Sequence, residues 1–300
     1  MDTIHIAIPA VGAAFEFYAR VTAHSAKRGC SLPIHIHFIG MEEFSRVADV
    51  SRFGDYHGSS ITWSRLYLPE LFPDLDWVIS ADADVMFRGD VAGLWKLRDE
   101  QVSILPSHDS PLPGHNWNQE AVDWYSGHGL HLEHPEEYFC AGLSLVNLRR
   151  LREIGWQRMR DAFLSDYEPN QMPNADQCVL NWILRDDKCL LPREWGAFSG
   201  DANVDLDWDS PCAVHFVDDA PWARGKPTHL MSDLAIEWWS LAESLQDGRE
   251  NVSEGFRGCK NWLDYAWRRT AFVALKHNQW VLGLHPSLRL HLRGTRGISK

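Results

Sequence analysis

Several absences narrow the reading of this chain before any motif is considered. Its six cysteines (30, 140, 178, 189, 212 and 259) form no CxxC pair and no other metal-ligand spacing, so a thiolate metal site is not expected. A chain of 300 residues needs no disulfide framework to hold a core. No run reaches the roughly 18 uninterrupted apolar residues of a spanning helix. Asp2 stands where a signal peptide would carry Lys or Arg, so the expectation is a cytoplasmic protein with reduced cysteines. Positive charge is short as well: 29 Lys and Arg face 41 Asp and Glu, a net −12, which excludes a general nucleic-acid binder. No internal repeat or low-complexity segment is visible. With 45% apolar and 23% charged residues, a largely disordered or fibrous chain is excluded too.

The net charge hides an asymmetry. From Arg257 to Lys300 nine Lys or Arg accompany a single acid, Asp264, a local +8 that leaves −20 on the first 256 residues. Tryptophan is abundant, with 15 residues. Such rings stack on sugars, sit at membrane interfaces, or simply fill a core.

Ile4, Ile6 and Ile8 alternate with His5 and Ala7, the period of a strand. Gly12 to Arg28 reads as a helix stopped by Gly29. Ile34, Ile36 and Phe38 give a second strand, ended by Gly40. Thr62 is placed to cap a short helix through Phe72, and Trp77 to Ser80 form a buried strand that ends in Asp82-Ala83-Asp84. This β-α-β-α-β order argues an α/β sheet with ligands at the carboxyl ends of its strands. Residues 106–137 lack a sustained period and read as a long loop or lid. Tyr138 to Val146 returns to a strand, Asn147 opens a helix to about Phe163, and Asn174 caps another over 175–185. Cys212 to Val217 reads as a short strand, and Ser232 caps a helix through Leu245.

Asp82-Ala83-Asp84 carries the sharpest chemistry. In an extended segment, residues two apart point the same way. Two carboxylates there repel unless a divalent ion joins them and holds a diphosphate on its other side; otherwise they are solvated loop acids. An apolar strand followed by this triplet also opens the haloacid-dehalogenase phosphatases, whose first Asp is a phosphoryl-accepting nucleophile. There, the motif usually sits on the chain's first strand, whereas here a β-α-β unit precedes it.

The wider pattern resembles glycosyltransferase family 8. The run Ile61 to Pro73, with Arg65-Leu66 and a terminal proline, leads into Val78 to Trp95, where Asp90-Val91, Leu94 and Trp95 follow the Asp-x-Asp triplet. Tyr138-Phe139-Cys140-Ala141-Gly142 through Val146-Asn147-Leu148 resembles the family's Tyr-Phe-Asn-Ala-Gly strand. Asp176-Gln177 to Leu180-Asn181 resembles its Asp-Gln helix, and Leu191-Pro192 followed by His215-Phe216 its downstream strand and metal-ligand histidine. The resemblance covers about residues 1–240. It implies a GT-A type, Rossmann-like nucleotide-sugar-binding domain over 1–250 with a mixed central sheet, and a retaining glycosyltransferase that uses a UDP-sugar with Mn²⁺ or Mg²⁺.

By the same resemblance, Asp82, Asp84 and His215 ligand the metal, which neutralises charge on departing UDP. Taken alone, His215 would pass for a satisfied core histidine. Arg65 contacts the donor sugar or diphosphate. Ala81, Ala83 and Cys140 also line the donor site, and Ala141 and Gly142 let the backbone approach the sugar. Asp176 holds sugar hydroxyls and the amide oxygen of Gln177 steadies positive charge on the ring; without the family, Asp176 would be a helix-start acid facing the dipole.

The chain also departs from the family. Cys140 replaces its Asn, Ala13 and Ala14 stand where acidic and Asn residues usually meet the uracil, and Ala220 stands where a Lys contacts the diphosphate. Lys226, in a second Lys-Pro pair, is assigned that contact, with Arg224 in reserve. These departures keep open a sugar-nucleotide-binding pseudoenzyme.

The loop histidines 108, 115, 128, 131 and 134 include a three-residue recurrence compatible with zinc, but the surrounding Gly127, Gly129 and Pro135 favour scattered loop residues. His115, Asn116 and Trp117 are candidates for acceptor contact. Residues 251–300 form the tail, where Trp262, Trp267, Phe272 and Trp280 mix with Lys260, Arg268, Arg269 and Lys276. That is the composition of an interfacial basic helix, worth about 1 kcal/mol per basic residue on anionic lipid; the alternative docks it on the acidic body. Some bacterial lipooligosaccharide galactosyltransferases of the family carry such a tail. The expected protein transfers a hexose to a lipid-linked or cell-surface glycan, glycolipid or glycoprotein from the inner face of the membrane.

Overall fold

The computed structural model describes residues 2–55, 59–109, 118–198, 211–217, 221 and 233–246. The tail over 251–300, the basic Arg224 and Lys226, Ala220, the Ser232 cap and the acceptor candidates His115, Asn116 and Trp117 lie outside them.

The alternating isoleucines form strand β1 (Ile4–Pro9), followed by helix α1 (Ala13–Arg28) and strand β2 (Ile34–Ile39). A short α2 (Met41–Ser45), a 3-10 turn over Ser60–Tyr67 and α3 (Leu68–Leu71) lead to β3 (Trp77–Ala81). Then come β4 (Val85–Phe87), α4 (Val91–Trp95), β5 (Ile104–His108), α5 (Gln119–Gly127) and β6 (Phe139–Asn147). The described chain continues through α6 (Leu148–Glu153), α7 (Trp156–Asp166), α8 (Asp176–Ile183), β7 (Trp195–Phe198), β8 (Ala213–His215) and α9 (Asp233–Gln246).

The main sheet runs β2-β1-β3-β6-β5, and a smaller one β4-β8-β7. β1 pairs in parallel with β2 and β3, while β6 runs antiparallel to both β3 and β5. The sheet is therefore mixed, as expected.

Alternation sorts side chains to two layers. Ile4, Ile6, Ile8, Ile79 and Leu145 pack with Ala19 and Ala23 of α1 and with Leu94 and Trp95. On the other face Ala7, Val78 and Val146 meet Leu66, Trp156, Val179 and Leu180. β6, buried along its whole length, lies inside the sheet between β3 and β5. A third cluster joins Val21 of α1, Met86, Val214 and Phe216 to Trp238 and Leu241 of α9.

Of the tryptophans in described segments, Trp63, Trp77, Trp95, Trp156, Trp195 and Trp238 are buried, and Trp124, Trp182 and Trp239 partly so. These rings are core rather than sugar platforms. Trp156 also donates Nε1–H to the Leu66 carbonyl at 2.7 Å, which meets the polar demand of a buried indole.

Local chemistry departs from expectation at several turns. Ser59, not Thr62, caps the segment before α3, accepting from the Ile61 amide. The helix expected from Asn147 to Phe163 is broken at Gly155, whose φ of 76° lies in the left-handed region, though Asn147 does cap its first part by accepting from the Arg150 amide. The expected lid contains β5 and α5. α8 begins after Ala175, not Asn174, at a φ of 44° rare for a residue with a Cβ. The Asn174 amide instead donates to Asn118 Oδ1 and the Tyr138 hydroxyl. No helix among the described residues is long and apolar enough to cross a membrane.

Candidate active site

β3, β6, β8 and the start of α8 bring their functional residues to one place. Asp82-Ala83-Asp84 is the link from β3 to β4 and forms a turn rather than the expected extended segment, with the Val85 amide donating to the Asp82 carbonyl at 3.2 Å. The turn is tied on three sides. Thr22 Oγ1 of α1 donates to the Ala83 carbonyl at 2.8 Å. The Asp82 amide reaches the Gly142 carbonyl at 2.8 Å, and the Phe216 amide reaches the Asp84 carbonyl at 3.0 Å. Ala81 and Ala83 are buried as part of this framework.

The β4–β8 register sets His215 opposite Val85, the residue after the turn. Its Nε2 thereby lies 3.1 Å from Asp84 Oδ1 and 3.7 Å from Asp82 Oδ2. Ligating atoms of Asp82, Asp84 and His215 all fall within 4.8 Å of one another. No other group of three or more His, Cys, Asp or Glu among the described residues comes together in this way. The described loop histidines have separate partners: His128 contacts the Trp124 carbonyl and His134 the Glu136 carboxylate, while His115 lies outside the described residues.

Three features fit these residues to a divalent cation. Asp84 Oδ1 is buried with no well-aligned hydrogen bond. Its polar neighbour is His215 Nε2 at 3.1 Å, so its charge is met either by a proton on that ring or by a cation held between the two. Burial pushes the Asp82 carboxyl up against the pull of Arg65, with Asp84 adding repulsion. Burial also disfavours the His215 imidazolium, but the neighbouring Asp84 and Cys140 outweigh it and hold the ring's pKa well above its ordinary value. Without a metal, a proton on His215 is thus the local counter-charge. Two carboxylates and one imidazole form a donor set suited to Mn²⁺ or Mg²⁺.

Arg65 organises the neighbouring wall. Its side chain is 7% exposed, with Nη2 2.6 Å from Asp82 Oδ1 and Nη1 3.1 Å from Asp176 Oδ2. Burial opposes its charge, but Asp176 and Asp82 outweigh that and raise its pKa. Asp176 also accepts from Thr62 Oγ1 at 3.0 Å. Burial lifts its carboxyl to about 6 against the pull of Arg65. Arg65 and Asp176 are therefore engaged with each other on the wall beside Asp82.

Gln177 is fixed at both ends of its amide. Oε1 accepts from the Ala141 amide at 2.9 Å, and Nε2 donates to Asp109 Oδ1 at 3.1 Å. A backbone N–H on one side and a carboxylate on the other leave a single sensible amide orientation. Asp109, at the end of β5, was missed from sequence because it lies in the stretch read as irregular loop. Its signal was its place just past an apolar strand end. Burial pushes its carboxyl to about 7, against the opposing Gln177 hydrogen bond.

Gly142 also makes room for the metal-site histidine. A Cβ there would lie 2.1 Å from His215 Cε1 and 2.8 Å from Nε2, so the absent side chain admits the histidine ring. Cys140 points the same way, with Sγ 3.6 Å from His215 Nδ1. The structure thus brings together Arg65, Asp82, Asp84, Cys140, Ala141, Gly142, Asp176, Gln177 and His215, whereas Lys226 lies outside the described residues.

Comparison with known proteins agrees with this arrangement. The family model for glycosyl transferase family 8 matches residues 32–225. Mouse glucoside xylosyltransferase 2 is 27% identical over 150 residues, covering 44% of this chain and 32% of that protein. The xylosyl- and glucuronyltransferase LARGE1 of Danio rerio is 28% identical over 240 residues, covering 75% of this chain and 27% of that protein. The chain thus spans about a third or less of the length of these curated relatives. Among solved structures, galactosyltransferase LgtC in complex with donor and acceptor sugar analogues superposes with a TM-score of 0.64 at 21% identity, over 85% of this chain and 99% of that one. That likeness identifies a shared GT-A-like fold. With the family model matched over more than half of its length, the chain belongs to glycosyltransferase family 8.

Proposed function

We propose that the protein is a metal-dependent retaining glycosyltransferase that moves a hexose from a UDP-sugar to an acceptor hydroxyl on a lipid-linked or cell-surface glycan. The observation that carries the reading is the convergence of Asp82, Asp84 and His215, whose ligating atoms all lie within 4.8 Å of one another. These three residues would hold Mn²⁺ or Mg²⁺, which supplies positive charge against the diphosphate of the departing nucleotide.

The protein's own groups have separate tasks. Arg65 keeps Asp82 and Asp176 at fixed separation by bridging both. Gln177, held between Ala141 and Asp109, presents its carbonyl dipole at a set angle. An oxygen fixed in this way steadies developing positive charge on a sugar ring without reorganising. Lys226 is assigned to the diphosphate, and the basic tail over 251–300 to an anionic membrane surface on the cytoplasmic side, where lipid-linked acceptors reside.

The dehalogenase-type phosphatase alternative receives no support from the comparisons. The test is turnover of a panel of UDP-sugars with and without Mn²⁺. Metal-dependent release of UDP with retained anomeric configuration supports the proposal. Metal-dependent UDP binding without turnover of any donor would instead leave a sugar-nucleotide-binding protein.

A further inference from the structure

We infer that Cys140 is the positioning residue for His215, its thiol sulfur accepting the Nδ1–H hydrogen bond that leaves Nε2 free to face the metal. The inference rests on the metal site proposed above, and concerns a residue that replaces the family's Asn.

The geometry comes from two directions. Nε2 of His215 faces the carboxylates of Asp84 and Asp82. A nitrogen that holds a cation carries no proton, so the ring's single proton must then reside on Nδ1. The atom facing Nδ1 is Cys140 Sγ, at 3.6 Å. Sulfur receives a second donor from the opposite quarter, the Gly142 amide at 3.4 Å. That contact uses the sulfur's acceptor capacity and leaves room for a second N–H, so Sγ can take the Nδ1 proton once Nε2 is committed to a cation. Both residues are 5% exposed, which shields the contact from competing water. Gly142 leaves the ring room to sit there but offers Nδ1–H no acceptor; Cys140 does.

A ligating histidine ordinarily gives its second N–H to a carboxylate, carbonyl or water. Thiol sulfur accepts more weakly than oxygen. The consequence here is a side chain at position 140 that is spent on the metal ligand rather than on the donor sugar. Cys140 acts through His215 and need not touch the reacting atoms.

The experiment is a titration of Mn²⁺ into the full-length chain without nucleotide, following loss of the free-ion signal by electron paramagnetic resonance. Parent, Asp84→Asn, Cys140→Ala, Cys140→Val and Cys140→Ser are compared, with the melting temperature of each metal-free protein recorded. Val keeps bulk without an acceptor, and Ser keeps an acceptor with less bulk. The expected result is about tenfold weaker Mn²⁺ binding in Ala and Val, with Ser within threefold of the parent and metal-free melting of Val and Ser near that of the parent. Parent-like affinity in Ala and Val, or an equal loss in Ser and Val, overturns the role of Cys140. Equal affinity of the parent and Asp84→Asn overturns the metal site itself, a separate failure.

Discussion

Gly142 lies against the ring of His215 so closely that a Cβ would stand 2.7 Å from Nδ1. Strand β6 and strand β8 therefore fit together only because one of them lacks a side chain at this point. Gly142→Ala must push the ring away, because backbone lies on the other side of the contact. Overpacking of this kind costs about 1–3 kcal/mol. The expected outcome is a folded protein with a lower urea midpoint and much weaker Mn²⁺ binding. Unchanged Mn²⁺ affinity would show that His215 does not hold the ion from this position.

Arg65 joins the buried carboxylate of Asp176 to the half-buried one of Asp82, and its removal leaves Asp176 without its cation. Arg65→Ala is expected to destabilise by about 3–5 kcal/mol, the cost of leaving a buried pair uncompensated. Adding Asp176→Asn to that variant removes that unpaired charge and should recover part of the loss. A double-mutant cycle on urea midpoints measures this coupling. Additive losses would mean that Arg65 and Asp176 do not share their charge in the folded protein.

Asp109 predicts a pH dependence of stability. Desolvation at its partly buried position lifts its folded carboxyl to about 7, against an ordinary value of 3.8. Between those values the unfolded chain has lost the proton and the folded chain still binds it, so stability falls as pH rises through that window. Above about 7 the penalty is complete. Asp109→Asn keeps an acceptor for Gln177 Nε2 but has no charge to bury. It should melt like the parent near pH 4 and above the parent at pH 8. A constant difference across the range would contradict the buried, proton-bound state.

Gln177 touches the backbone of β6 and the carboxylate of Asp109, so its amide is set before any sugar arrives. Gln177→Ala is expected to lower kcat at least tenfold while the KM for the donor changes less than threefold, measured by UDP release. An equal effect on both would assign Gln177 to binding alone.

The parts legible in sequence were those governed by local period. Ile4, Ile6 and Ile8 gave β1, the buried run from Trp77 gave β3, and Asn147 capped the helix after β6. The motif residues were legible as a set because their order along the chain resembles a family. Their contacts were not. Cys140 and His215 are 75 residues apart and meet because β6 pairs with β3 and β8 with β4 on either side of the Asp82–Asp84 turn, which no local pattern encodes. Asp109 was hidden because it follows the short strand β5 inside a stretch rich in Pro, Gly and His. Thr62 looked like a cap, yet tertiary structure claimed its hydroxyl for Asp176 and left capping to Ser59. Ala175 could not be foreseen at a φ of 44°, since local preference gives that conformation to Gly or Asn.

The central claim is that Asp82, Asp84 and His215 together form a metal site that binds the nucleotide's diphosphate. Isothermal titration of UDP into the protein with and without Mn²⁺, repeated for Asp84→Asn, tests it most directly. The account predicts tight UDP binding only with Mn²⁺ and at least a hundredfold weakening in Asp84→Asn, with the metal-free protein still folded and its melting temperature unchanged or modestly lowered by loss of the Asp84–His215 pair. UDP binding of equal strength with and without metal, or undiminished in Asp84→Asn, would contradict it.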